Sequence, residues 1–152
     1  MRRTTSQTGF TYLGVIFFIA VSGVALSSIA QIWTTDRQRQ REVELIRVGS
    51  AIRDAIGLYY ERTPGAVKRY PQTLSDLIED RRYLSLQRYL RKLYRDPMTG
   101  TSDWGIVEAP DGGVMGVYSL SNRVPIKRSG FSKNVSVEPN AQRYADWRFV
   151  YA

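Results

Sequence analysis

Six cations and no carboxylate fall between residues 81 and 95: Arg81, Arg82, Arg88, Arg91, Lys92 and Arg95, interleaved with Tyr83, Tyr89 and Tyr94. Positive charge at this density can hold a polyanion, and aromatic rings can stack on bases, so DNA, an acidic partner and lipid headgroups are the ligand chemistries to weigh. The plainer reading is a solvated outer helix face, partly offset by Glu79 and Asp80 before it and Asp96 after it. The plainer reading is preferred, and nucleic acid is not the expected partner.

Other chemistry is thinly represented. The chain has no His and no Cys, which removes the usual zinc ligands, thiol nucleophiles, His general bases and disulfides. No G-x-S-x-G, Gly-rich phosphate loop or S-x-x-K occurs, so no enzyme activity is expected. Asp96, Asp103 and Asp111 lie in loops whose oxygens can hold Ca²⁺, but their spacing matches no ligand pattern, and Asp is an ordinary turn former. No cofactor is expected; calcium stays open, without a ligand set. Trp104, Trp147 and Tyr118 read as core residues of strands.

The elements that carry these residues begin with a long apolar block. No charged side chain occurs from Thr4 to Thr35. Residues 10–33 would form about 36 Å of helix, enough to cross a hydrocarbon core of about 30 Å. Trp33 suits a membrane interface. Ala20, Gly23, Ser27 and Ala30 share one helical face as a candidate helix-packing stripe, with a chance scatter of small residues as the alternative. Beyond Trp33 the pattern becomes amphipathic, with Leu45, Val48, Ile52, Ala55, Ile56 and Tyr59 at helical spacing. One continuous helix from Thr11 to Arg62 is expected, ended by Thr63-Pro64-Gly65.

A short helix should open at Thr73, with Asp76 in capping-box spacing, and a third helix should run from Arg82 to Tyr94. After the Asp96-Pro97-Met98-Thr99-Gly100 break, strands are expected at Trp104–Ala109 and Val114–Leu120, joined by Pro110-Asp111-Gly112-Gly113. A strand at Trp147–Tyr151 closes the chain, after an irregular excursion from Ser121 to Ala145 that holds a short strand at Val135–Val137. The expected class is α+β, a long N-terminal helix packed on a small antiparallel sheet with short helices.

Ahead of the apolar block stands a short basic leader, Met1 to Gly9, ending in Gly directly before Phe10-Thr11-Tyr12-Leu13. In this the chain resembles the type IV pilin and type II secretion pseudopilin family. The resemblance implies cleavage between Gly9 and Phe10 by a prepilin peptidase, methylation of the new amine, and retention of the apolar segment on the mature subunit. It further implies a leader at 1–9, a transmembrane helix half at 10–33 and a periplasmic α+β head at 34–152, anchored once in the inner membrane. Its partners would be other pilin or pseudopilin subunits, the peptidase, the inner-membrane assembly platform and membrane lipid.

The family usually carries Glu at the fifth mature position, which here is Gly14, so a minor or divergent subunit is implied. An unpaired carboxylate in lipid is costly, and Gly14 removes both that penalty and a docking contact. The rival readings are a secretory signal cut after Ser28-Ile29-Ala30, a plain single-span anchor, and a tethered or exported basic module that binds a polyanion. Arg37, Arg39, Arg41 and Arg47 outnumber Arg2 and Arg3, but a following domain of 119 residues can translocate largely regardless of charge. The cytoplasmic placement of the N-terminus rests on the resemblance.

Overall fold

The computed structural model describes residues 8–152 apart from 111, 134, 138 and 139; for residues 8–10 and 23–32 it describes the backbone alone. The expected leader therefore lies almost wholly outside the described residues. Helix α1 runs from Thr8 to Glu61, 54 residues. The chain divides into two compact units, Met1–Gln38 and Arg39–Ala152. The first contains the N-terminal part of α1; the second, with the rest of α1, is the α+β head.

Within the head, α1 buries the stripe expected of it: Leu45, Val48, Ile52, Ala55, Ile56 and Tyr59 are all in the core. Each large aliphatic member of such a stripe contributes about 1.5–3 kcal/mol on leaving water. The facing residues come from a four-stranded antiparallel sheet of β1 (Gly105–Glu108), β2 (Val114–Tyr118), β3 (Ser136–Val137) and β4 (Trp147–Val150), in the order β1-β2-β4-β3. Trp147 and Phe149 of β4, Val117 of β2 and Tyr144 fill the space between helix and sheet. Close approach is possible because α1 presents Gly49 there: a Cβ on Gly49 would stand 2.5 Å from the Phe149 ring.

Local chemistry sets the ends of the elements. The Thr63 hydroxyl donates to Tyr59 O across 3.2 Å, and Pro64 has no N–H to continue the ladder. A 3-10 turn follows at Leu74–Leu77, where the Asp76 carboxylate accepts the Gln72 and Thr73 N–H groups at 2.9 and 3.0 Å, the reach-back half of the expected capping box. The β1–β2 connection closes through Ala109 N–H to Gly113 O and Gly112 N–H to Ala109 O, both 3.0 Å. Gly112 and Gly113 both have φ near +90°, the region where glycine alone is free of strain.

The expected helix from Arg82 to Tyr94 is absent. This segment is irregular, held by one bridge between Asp80 and Gln87 and by Tyr89 N–H and Leu90 N–H, which both donate to Leu77 O at 2.9 Å. A helix here would set Arg88 beside Arg91 and Lys92, and Arg95 beside both of those, and like charges at these spacings destabilise. The apolar period was not a buried face either: of Tyr83, Leu86, Leu90, Leu93 and Tyr94, only Leu90 is fully buried.

Gly49→Ala is expected to destabilise the head by about 1–3 kcal/mol through overpacking. The effect is read as a lowered thermal midpoint of the full chain in detergent. Gly14→Ala, whose added methyl meets nothing within 4 Å, should leave that midpoint in place.

Candidate assembly helix and basic loop

In the N-terminal unit, α1 carries an apolar run whose described side chains stand in the open. Tyr12, Leu13, Val15, Ile16, Phe17, Phe18, Ile19 and Val21 are all exposed large hydrophobic residues. A contiguous apolar surface of this kind marks contact with protein or membrane. Among the described residues no helix is long and apolar enough to cross a membrane, but the side chains of 23–32, within the segment expected to do so, lie outside them. Gly9 and Phe10 sit in the first turn of α1, and Gly14 follows with open space where a side chain would stand. Ala20 is exposed; the side chains of Gly23, Ser27 and Ala30, the rest of the small-residue stripe, fall outside the described set.

In the head, two buried carboxylates fasten irregular segments to α1. Glu42, on the buried face of α1 and only 3 % exposed, accepts hydrogen bonds from Ile126 N–H at 2.6 Å, Lys127 N–H at 3.3 Å and the Tyr144 hydroxyl at 2.8 Å. It thereby ties the 121–145 excursion to the helix. A charged residue three positions before Leu45, on the apolar stripe itself, was the sequence signal for this role.

Asp80 does the same at the C-terminal end of α1. Its carboxylate is fully buried and pairs bidentately with Arg82, Nε to Oδ1 at 2.9 Å and Nη2 to Oδ2 at 2.8 Å, and also accepts the Tyr89 hydroxyl at 3.0 Å. Arg82 then donates to Thr63 Oγ1 at 2.8 Å and to Tyr59 O at 3.0 Å, and its guanidinium lies 3.4 Å from the Tyr59 ring centroid. A cation on the last carbonyls of a helix also meets the negative end of its dipole. Burial pushes the Asp80 carboxyl up, but the hydrogen bonds from Arg82 and Tyr89 outweigh it and hold the group below its ordinary value of 3.8.

The six expected cations are thus divided. Arg82 belongs to the interior cluster, whereas Arg81, Arg88, Arg91, Lys92 and Arg95 are exposed on irregular chain rather than along one helix face. The interleaved tyrosines are engaged within the fold. Tyr83 donates to Arg62 O, Tyr89 packs edge-on to Tyr59 with centroids 5.8 Å apart, and Tyr94 has Arg47 and Lys92 over its ring at 5.8 and 5.9 Å. Of the acidic loop residues, Asp96 is buried and organises its own turn: Oδ1 accepts Met98 N–H at 2.8 Å and Oδ2 accepts the Ser119 hydroxyl at 2.7 Å. Asp103 is exposed, and Asp111 lies outside the described residues. Among the described residues no cluster of three or more acidic side chains is placed to hold a metal ion.

Arg82→Ala strands a buried carboxylate and should cost about 3–5 kcal/mol of head stability, measured by denaturant unfolding. Because the folded Asp80 value lies below the unfolded one, the pair's contribution is present above about pH 4 and is lost as pH falls through 3.8 toward the folded value. Stability measured across this acid range should therefore depend less steeply on pH in Asp80→Asn. Glu42→Gln should cost about 1–3 kcal/mol and speed hydrogen exchange at the Ile126 and Lys127 amides. No family model, no curated protein and no solved structure matches the chain.

Proposed function

We propose that the chain is a non-enzymatic subunit of a pseudopilus or type IV pilus-like filament, anchored in the inner membrane with its head in the periplasm. The observation that carries this reading is a single helix, α1, whose N-terminal part exposes an apolar run from Tyr12 to Val21 while its C-terminal part packs an α+β head. The basic leader ending at Gly9 before Phe10 supplies the second support, through the resemblance to prepilins. A prepilin peptidase would cut between these two residues and leave the apolar rod on the mature subunit. The rod then exchanges lipid for the core of a helical bundle while the heads face outward. Head-to-tail addition of this kind does not close and builds an open filament.

Gly14 favours a minor or divergent role. With no carboxylate at this position, the subunit brings no charge to pair with a neighbour's N-terminal amine, and none that must be desolvated in lipid. The open space around Gly14 means that a side chain there would act on contacts between subunits and not on the fold of its own chain.

Mass spectrometry of the native protein's N-terminus tests the reading directly. A methylated Phe10 is the expected result; a chain starting at Gln31, or an uncut Met1, would overturn it. Gly14→Glu should change incorporation into filaments while leaving head stability unchanged.

A further inference from the structure

The segment that departs most from expectation is also the one whose exposed residues the fold leaves unexplained. The bridge between Asp80 and Gln87 brings the two ends of a short loop together, closed by Asp80 N–H donating to Gln87 O at 3.0 Å. Below it, the Asp80–Arg82 pair fixes the base to the end of α1, and Tyr83 donates to Arg62 O. At the tip, Leu84 is as exposed as in an extended peptide, at 113 %, and Leu86 is 54 % exposed. A buried ion pair and a bridge therefore hold two leucines out in water, and apolar side chains presented this way by a fixed base mark a contact.

Charge narrows what the contact is. Arg81 and Arg88 directly follow the two bridged residues and so flank the base, with Arg91, Lys92 and Arg95 exposed beyond. Among the described residues, Arg81 alone of these five has an acidic side chain in reach, Glu79 at 3.4 Å. A nucleic-acid surface would offer aromatic rings for stacking, but Tyr83, Tyr89 and Tyr94 are occupied within the fold, and leucines take their place at the tip. An exposed apolar tip with an arginine at each side of its base matches an anionic bilayer: leucines enter the acyl boundary while guanidinium groups stay at the phosphates. We propose that the 80–88 loop is a membrane-docking element that inserts Leu84 and Leu86 into an anionic lipid surface. The proposal rests on the head alone and stands or falls independently of the filament reading.

The chain lacks cysteine, so Ser85→Cys in the full-length protein gives one site for an environment-sensitive fluorophore at the tip. The labelled chain, held in nanodiscs of neutral phosphatidylcholine, is mixed in turn with phosphatidylcholine vesicles, with vesicles of equal parts phosphatidylcholine and phosphatidylglycerol, with inorganic phosphate and with duplex DNA. Blue-shifted, brighter emission with the anionic vesicles alone, weakened by added salt, is the expected result. Adding Leu84→Asp and Leu86→Asp should reduce the apparent affinity about tenfold or more, with the thermal midpoint of the head unchanged. Unshifted emission with anionic vesicles would overturn the proposal. So would an equal response to neutral vesicles, to phosphate or to DNA, or full binding by the double-Asp variant.

Discussion

The head depends on how closely one helix can lie against one strand. The Leu45 to Tyr59 stripe of α1 meets the ring-bearing strand β4, and Gly49 lets the Phe149 ring settle directly on the helix backbone. Once that contact is made, the antiparallel pairing of β2 and β3 on either side of β4 follows, because Trp147 and Phe149 can face the helix in only one register. The rest of the head is chain of little regular structure, and it must be fastened to this helix–sheet layer by other means.

On α1 those means are two buried carboxylates near the two ends of the part that belongs to the head; buried Asp96, which accepts the Ser119 hydroxyl just past β2, does the same at the sheet. Glu42 and Glu61, the last residue of the helix, are 19 residues apart, about 28 Å of helix. At one end Glu42 gathers backbone N–H groups and a tyrosine hydroxyl; at the other Asp80 works through Arg82 to reach the Tyr59 carbonyl and the Thr63 hydroxyl. Loop backbone that cannot pair with a neighbouring strand still needs hydrogen-bond partners, and a carboxylate with several acceptor positions supplies them in one place. Among the described residues no buried side-chain polar atom is left without a partner, consistent with this division of labour.

Much of this was legible from residue order. The α1 stripe, the stop at Thr63-Pro64-Gly65, the Gly112-Gly113 connection and the closing strand are local patterns, and each lies within a few residues of where spacing and turn chemistry put it. From Arg82 to Tyr94 the apolar spacing is that of a helix, but repulsion among Arg88, Arg91, Lys92 and Arg95 and the pull of Asp80 on Arg82 favour irregular chain. The Asp80–Arg82 cluster joins residues 59, 63, 80, 82 and 89, which no local window spans. Glu42 carries its own signal, since a carboxylate at a core position of an amphipathic helix requires donors from elsewhere.

Fastening irregular chain at a few fixed points has a consequence for how such a head can diversify. Between the anchors, residues 83–86 and much of 128–133 carry little of the core, so their identities can drift, and stretches there can lengthen, without disturbing the helix–sheet layer. A lineage of such proteins would keep its frame while exchanging the chemistry it displays at either pole, with the two acids as the residues it can least do without.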